Sequence, residues 1–107
     1  MHFSVRTSEA GMVRESGVRE RSGPITIRHI GGEGFYYSPA VSKRYGSAPE
    51  RNRVKRIIRE IMRGLIGSFP EGRYLIYYNA SCDGVGRRDI EPLIRSLLAK
   101  LNSGMTS

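Results

Sequence analysis

One stretch in the middle of the chain constrains the fold most, because its large apolar residues recur every three or four positions. This spacing places them on one side of an α-helix, and that side has to be buried. The stripe comprises Val54, Ile57, Ile58, Ile61, Met62, Leu65 and Ile66. Ser47 and Glu50 fit a capping box at the helix start, and Gly64 and Gly67 mark where the helix weakens and stops. The stretch therefore predicts an amphipathic helix packed on a core.

The other side of this helix is basic, and only Glu50 and Glu60 offset its charge. Basic side chains three and four positions apart repel one another unless an anion joins them, and the arginine fork binds phosphate with two hydrogen bonds. The pattern favours a polyanionic partner over the alternative of an ordinary solvated face. The residues that project away from the stripe, or lie at its flanks, are Arg51, Asn52, Arg53, Lys55, Arg56, Arg59 and Arg63.

The whole chain has the charge of a nucleic-acid-binding protein. It has 107 residues, a net charge of +8 and a pI near 10.3, which predicts a single domain, 1–107, with a polyanionic partner. No apolar segment is long enough to cross a bilayer, so an anionic membrane surface is the weaker alternative. The single cysteine, Cys82, cannot form an internal disulfide, and no export signal is visible. These features predict a cytoplasmic protein.

A longer motif surrounds the start of the basic helix. It consists of Ser42-Lys43-Arg44, Gly46, Ala48, Arg51-Asn52-Arg53-Val54-Lys55-Arg56 and Arg59-Glu60. The motif resembles the signature of the bacterial ribonuclease P protein subunit. The resemblance implies a protein that binds a catalytic RNA and contacts the 5′ leader of precursor tRNA in a cleft beside this helix. It also implies that the RNA performs the cleavage, that Mg²⁺ belongs mainly to the RNA, and that the chain crossover around the helix is left-handed.

The N-terminal segment, residues 1–22, is polar, and disorder is as compatible with it as a short helix. In the helical interpretation Ser8 caps a segment from Glu9 to about Ser16, with Met12 and Val13 touching the core. The resembling family often has aromatic residues where this chain has Ala10 and Arg14, so an aromatic contact from this helix is not expected. Further candidates for phosphate contact are Arg6, Arg14, Arg19 and Arg21.

Two β-rich segments follow, Ile25–Ile30 and Phe35–Ser42, separated by a glycine-rich turn. They predict a hairpin in which Arg28 and His29 pair with the second strand. Pro39 lacks a backbone N–H, which predicts an edge position or a local distortion. His29 is a poor candidate for a metal ligand, because no carboxylate cluster accompanies it.

The aromatic residues of the second segment are candidates for nucleic-acid contact. Alternation puts Phe35 and Tyr37 on one face and Tyr36 on the other, so one set can line a cleft while the other joins the core. Aromatic rings in a cleft stack on unpaired bases, contributing about 1 to 3 kcal/mol per base without sequence preference. The candidates for the leader cleft are Phe35, Tyr37, Ser42 and Arg28.

The C-terminal part predicts a strand and a helix. Arg73–Asn79 is nearly continuously apolar and aromatic, as a central strand is, and residues 81–88 form a loop. Asp89 then caps a helix, and residues 102–107 fray. The apolar residues of this helix recur at helical spacing; they are Ile90, Leu93, Ile94, Leu97, Leu98 and Leu101. The predicted fold is α+β, a single two-layer domain with a small mixed sheet of about four strands or fewer and the order α-β-β-α-β-α.

The sequence predicts binding rather than catalysis. Its acidic residues are scattered or used as caps, and it has no glycine-rich phosphate loop and no nucleophile beside a base. No metal or cofactor held by the protein alone and no obligate protein partner are predicted. The predicted RNA contacts are Lys43, Arg44, Arg51, Asn52, Arg53, Lys55, Arg56, Arg59 and Arg63. A DNA-binding regulator is the alternative, although it should have a helix just before its reading helix. A ribosome-associated protein is another.

Overall fold

A four-stranded mixed sheet forms the centre of the computed structural model, which describes residues 4–105 and the side chains of residues 4–102. The strand order is β1-β2-β4-β3; β3 and β4 are parallel, and the other neighbours are antiparallel. The elements are α1 (Thr7–Ser16), β1 (Val18–Ser22), β2 (Ile25–Gly31), β3 (Phe35–Val41), a 3-10 turn (Lys43–Tyr45), α2 (Ala48–Gly64), β4 (Gly72–Tyr78) and α3 (Arg87–Met105).

The α+β class is confirmed, including the small mixed sheet and the crossover β3-α2-β4 around the basic helix. The predicted element order lacks one strand, β1, which lies in the segment 18–22. Four of the five residues of β1 are polar, and the strand pairs with β2 through its backbone, so it has no apolar alternation that would identify it. Gly23, at φ 56°, forms the tight turn between these two strands. The mobility expected for residues 1–22 stays a prediction.

The predicted hairpin between β2 and β3 is wrong, because β4 lies between these two strands. Ile27 of β2 is opposite Ile76 of β4, and Tyr37 of β3 is opposite Tyr74 of β4. Residues of β4 are buried on both faces, as the sequence predicts for a central strand, and β4 pairs with one strand on each side. Arg28 therefore pairs with β1 and β4 and not with β3.

The main core lies between one face of the sheet and the helices α2 and α3. The buried stripe of α2 includes Val54, Ile58, Ile61 and Met62, as predicted. Ile66 departs from the prediction and is 41% exposed, because α2 ends at Gly64 before this residue is reached. The sheet contributes Ile25, Ile27, Phe35, Tyr37, Tyr74 and Ile76, and α3 contributes Ile90, Ile94, Leu97, Leu98 and Leu101.

α1 packs on the other face of the sheet, against β2 and β4. Val13 is fully buried there, whereas Met12, also predicted to touch the core, is 58% exposed. The predicted cap at Ser8 is wrong: α1 begins at Thr7, and the Glu9 carboxylate accepts a hydrogen bond from the Arg6 N–H at 3.4 Å. Glu9 also pairs with the Arg73 guanidinium at 2.8 Å, which ties α1 to β4.

The helices α2 and α3 begin close to the residues predicted from the sequence, and their capping hydrogen bonds differ in detail. Ser47 caps α2, but its hydroxyl bonds both the Glu50 N–H and the Glu50 carboxylate, at 3.4 and 3.1 Å. α3 begins at Arg87, two residues before the predicted cap, and Asp89 accepts from the Gly86 N–H at 2.9 Å from within the first turn. α3 extends to Met105. Residues 1–3 and 106–107, parts of the predicted flexible ends, lie outside the described residues.

Pro39 and Gly72 occupy positions that suit them. Pro39 lies in β3 at the edge of the sheet, as predicted, and the pairing with β4 continues through it without the expected distortion. Gly72 has a φ of 142°, and a Cβ there would lie 2.2 Å from the Ile30 carbonyl oxygen and 2.6 Å from His29 Nε2. Only glycine fits, because the backbone of β4 approaches β2 too closely for a side chain.

His29 is a buried titratable residue in this core. Its ring stacks on Tyr74 at a centroid distance of 4.1 Å, and Nε2 lies 3.3 Å from the Glu71 carbonyl oxygen. Burial lowers the pKa of His29 below its ordinary value of 6.5. The folded protein therefore holds this imidazole neutral at pH values where the unfolded chain would protonate it.

Acidification should destabilise the fold through His29. Below pH 6.5 the unfolded chain binds the proton more readily, so the free energy of unfolding should fall, by at most about 1.4 kcal/mol per pH unit, until the folded pKa is passed. Urea unfolding between pH 7.5 and 5 measures this dependence. His29→Phe keeps an aromatic ring on Tyr74 without a titrating group, and it should reduce the pH dependence of the free energy of unfolding. Equal pH dependence in both proteins would contradict the assignment.

Candidate nucleic-acid interface

The outer face of α2 carries an open cationic surface, called here the basic ridge: Asn52, Lys55, Arg56, Arg59 and Arg63. Lys55 is half-buried and the other four side chains are exposed. Among residues 4–102, ion pairs join Arg73 to Glu9, and Arg87 and Arg95 to Glu91, and none involves the ridge. The positive charge of the ridge is therefore not neutralised within the described part of the chain.

The 3-10 turn before α2 adds two more cations to this surface. Lys43 and Arg44 are exposed, and the Arg44 guanidinium lies 5.1 Å from the centre of the Tyr45 ring. Stacking on an aromatic ring orients a guanidinium and leaves its edge free for an anion. Ser42, a predicted cleft residue, is also exposed and lies at the start of this turn.

Arg51 and Arg53 differ from the ridge, because both donate hydrogen bonds to backbone carbonyls. Arg51 Nε donates to Gly46 at 3.1 Å, and the two terminal nitrogens of Arg53 donate to Cys82, at 2.8 Å, and to Val85. Both side chains are half-buried. The sequence predicts the same RNA-contact role for all the basic residues of this helix, but the structure separates these two from the exposed ones.

A second candidate surface is a cleft of about 320 Å³ on the sheet face that α1 partly covers, called here the sheet cleft. Arg28, a predicted cleft residue, lines it and donates a hydrogen bond to the Arg14 carbonyl at 3.0 Å. The cleft thus combines cationic, aromatic and amide groups from four elements and from the residue that follows β4. Its lining residues are Arg14, Arg19, Thr26, Arg28, Tyr77 and Asn79.

The prediction that Phe35 and Tyr37 line a cleft is wrong. Their side chains are 6% and 4% exposed and belong to the main core, where Phe35 packs on Tyr74 at a centroid distance of 5.0 Å. The alternation along β3 is as predicted, but the face with these two rings is the one that α2 covers. Tyr36 points to the other face, where the Arg73 guanidinium lies 4.4 Å from its ring centre. Ser42 is not among the residues that line the sheet cleft.

Sequence reasoning missed the aromatic residue that does line the cleft, Tyr77. Tyr74, Ile76 and Tyr78 are buried in the main core, and Tyr77 alternates with them along β4, so it points to the opposite face of the sheet. The sequence shows this alternation as soon as β4 is identified as a central strand. Thr26 and Asn79 were also missed, since neither belongs to a charged or aromatic motif. Arg14 and Arg19 were predicted only as general phosphate contacts, and the structure brings them together beside Arg28.

The chain leading to α2 and one end of the sheet cleft lie at the same end of the parallel strands. β3 and β4 are parallel and end side by side, with Val41 opposite Tyr78. Ser42 and Asn79 therefore leave the sheet together, one toward the start of α2 and the other at the end of the cleft. The Asn79 N–H bonds to the Pro24 carbonyl at 2.7 Å, which fixes this corner against the turn between β1 and β2.

Other chemistry has little support in the described residues. No group of three or more His, Cys, Asp or Glu side chains within them is arranged to hold a metal ion. Cys82 is buried, and burial raises the pKa of its thiol, which disfavours the reactive thiolate. None of the helices in this part of the chain is both long and apolar enough to span a bilayer.

Known proteins share both the sequence pattern and the fold. The ribonuclease P protein component of Desulforapulum autotrophicum is 39% identical over 64 residues, which cover 59% of this chain and only 41% of that relative's length. The ribonuclease P protein of Staphylococcus aureus superposes with a TM-score of 0.83 at 15% identity, covering 94% of this chain and 96% of that one.

The ribonuclease P protein of Thermotoga maritima gives a TM-score of 0.80 at 19% identity, covering 91% of this chain and 96% of that one. At such identities the superpositions establish the shared fold. Membership follows from the sequence itself, because the family model described as Ribonuclease P matches residues 12–102, most of the chain. The chain belongs to the ribonuclease P protein family.

Proposed function

We propose that this chain is the protein subunit of a ribonuclease P ribonucleoprotein, in which it binds the catalytic RNA and the 5′ leader of precursor tRNA. The complex removes the leader by endonucleolytic cleavage in the cytoplasm. The observation that carries the proposal is the basic ridge, whose cations have no carboxylate partner among residues 4–102. Such a surface is stabilised by phosphate and is left repulsive without it.

The ridge binds the ribonuclease P RNA. Arg56, Arg59 and Arg63 recur at three- and four-residue spacing along one face of α2, so their guanidinium groups follow a line that a phosphate backbone can track. Each fork can bond two oxygens of one phosphate. Asn52 adds directed hydrogen bonds at the N-terminal end of this line, and the 3-10 turn that precedes α2 adds Lys43 and Arg44.

The sheet cleft holds the leader of the precursor tRNA. Arg14, Arg19 and Arg28 supply cations for the leader phosphates, and Tyr77 supplies a ring on which an unpaired base can stack. Stacking and charge tolerate any base, which suits leaders of varied sequence. Asn79 stands at the corner where the cleft meets the start of α2, so one protein surface can hold the leader and the catalytic RNA together.

The RNA supplies the chemistry in this proposal. Phosphodiester hydrolysis needs an activated water and stabilisation of charge at the phosphorus, commonly by metal ions. We assign the Mg²⁺ ions mainly to the RNA. The protein lowers the electrostatic cost of folding the RNA and of bringing a second polyanion, the precursor tRNA, against it.

The rival role of a DNA-binding regulator has less support. A helix-turn-helix protein places one helix directly before the helix that enters the major groove. Here the segment before α2 is the strand β3 followed by the 3-10 turn. A ribosome-associated role uses the same basic surface and is separated from the proposed one by the cleavage assay below.

Addition of the purified protein to a bacterial ribonuclease P RNA and a precursor tRNA should increase the cleavage rate at low Mg²⁺, because protein cations replace part of the ionic screening that the RNA needs. The measurement is the rate of 5′ leader release at several Mg²⁺ concentrations. An unrelated basic protein of similar size and charge is the control. Equal rates with this protein and with the control would refute the proposed function.

Replacement of Arg56 and Arg59 by Ala should weaken binding to the ribonuclease P RNA by roughly tenfold or more, since two charge-assisted phosphate contacts are lost. The melting temperature should stay close to wild type, because both side chains are exposed and Ala favours helix. Filter binding and thermal denaturation measure the two effects.

The matched control is Arg88→Ala with Lys100→Ala, which removes the same charge from exposed positions of α3. It should bind RNA nearly as wild type does. A large loss of thermal stability in the α2 variant would instead make these arginines structural.

RNA affinity should depend steeply on salt. If about six phosphates are neutralised, the logarithm of the association constant falls with the logarithm of salt concentration at a slope of magnitude about 4 to 5. Binding titrations between about 50 and 300 mM monovalent salt measure the slope. A response close to zero would exclude electrostatic binding through the ridge.

A further inference from the structure

Arg53 lies at a junction of three segments: α2, the loop after β4 and the 3-10 turn. Its guanidinium donates to the carbonyls of Cys82 and Val85, in the loop between β4 and α3. The Cys82 N–H donates in turn to the Tyr45 carbonyl of the 3-10 turn at 2.9 Å. Both backbone polar groups of Cys82 are thus used, one toward α2 and the other toward the turn. We call this arrangement the Arg53 clamp.

The clamp depends on the shape of the arginine fork. Two terminal nitrogens of one planar group reach two carbonyls that are three residues apart in the loop. A lysine at this position keeps the charge but has a single ammonium on a flexible stem, and it does not reproduce this planar, two-point bond. Gly46 packs closely against Cys82: a Cβ added to Gly46 would lie 3.2 Å from Cys82 Cβ.

The segments that the clamp joins carry the candidate RNA-contact groups. The turn holds Lys43 and Arg44, α2 holds Asn52, and the loop starts with Asn79 of the sheet cleft. Within residues 4–102, Arg53 is bonded to this loop, whereas Arg56 and Arg59 of the ridge have no bonded partner. The Arg-Asn-Arg segment therefore contains one arginine whose hydrogen bonds already serve the protein.

We propose that Arg53 is a positioning residue of the RNA-binding surface: it fixes the 79–86 loop and the 3-10 turn against the start of α2 and does not itself contact RNA. The inference rests on the proposed function for the identity of the RNA ligand. It replaces, for this residue, the direct RNA contact that the sequence predicts. The fixed geometry lets the turn, Asn52 and Asn79 meet one RNA surface together.

The single cysteine of the chain reports on the clamp without any RNA. Cys82 is fully buried, so a thiol reagent reaches it only when the loop opens or the protein unfolds. Arg53→Ala and Arg53→Lys should both raise the rate of Cys82 labelling by about tenfold or more under conditions where circular dichroism shows a folded protein. Arg56→Ala should label at the wild-type rate.

Binding to the ribonuclease P RNA then separates positioning from direct contact. If Arg53 positions the surface and neutralises no phosphate itself, Arg53→Lys should lose affinity about as much as Arg53→Ala, and the two variants should have the same salt slope. Arg56→Ala should lower the slope by about 1, because a phosphate contact disappears. Gly46→Ala crowds Cys82 without changing any charge, and it should raise the rate of Cys82 labelling and lower the affinity for the RNA.

Each result decides the matter. Near-wild-type labelling and affinity in Arg53→Lys, or a salt slope lower by about 1 in Arg53→Ala than in Arg53→Lys, would overturn the proposal in favour of direct phosphate contact. If Arg53→Ala does not fold, Arg53→Lys and Gly46→Ala carry the test. Failure of the wild-type chain to bind the RNA, with faster labelling in the Arg53 variants, would refute the proposed function and leave the clamp itself supported.

Discussion

The burial of the apolar stripe of α2 against the sheet is the interaction on which both the fold and the basic surface depend. Val54, Ile58, Ile61 and Met62 are almost completely buried. Each such side chain contributes about 1.5 to 3 kcal/mol when it leaves water. Like-charge neighbours on an exposed helix face cost a few tenths of a kcal/mol per pair. Burial therefore outweighs the repulsion along the ridge, and the fold can present these cations together without an anion.

The crossover that carries α2 also determines the order of the strands. β3 and β4 are parallel, so the chain between them has to return from the end of β3 to the opposite end of the sheet, where β4 starts. The helix α2 makes this return. β4 then lies between β3 and β2 and is buried on both faces. Because parallel strands end at the same edge, the start of α2 and the loop after β4 emerge together there. The proximity of the chain leading to α2 and the end of the sheet cleft is a consequence of this topology.

The parts of the fold that were predictable are those in which burial imposes a period on the sequence. The stripes of α2 and α3 and the apolar run of β4 are of this kind. β1 has no such signal, because VRERS is held by backbone pairing. The β2–β3 hairpin was predicted from proximity in the chain, but the pairing was decided by β4, which comes some thirty residues later. No local pattern in β2 or β3 contains that information.

The same distinction applies to the site. The ridge was predictable because its residues lie on consecutive turns of one helix, whereas the sheet cleft collects one or two residues each from α1, β1, β2 and β4 and one from the loop after β4. Phe35 and Tyr37 show the limit of strand alternation: it groups residues by face correctly and does not say which face a later helix will cover. Only the position of α2 places these rings in the core.

Arg51 and Arg53 show why charge alone does not identify an RNA contact. Positive charge near a helix N-terminus opposes the helix dipole at a cost of a few tenths of a kcal/mol. Taken by itself, that cost favours an external anion. The carbonyls of Gly46, Cys82 and Val85 offset it instead, since a hydrogen bond from a charged donor contributes about 1.5 to 3 kcal/mol. An external anion is therefore expected at Arg56, Arg59 and Arg63, which have no internal acceptor among residues 4–102.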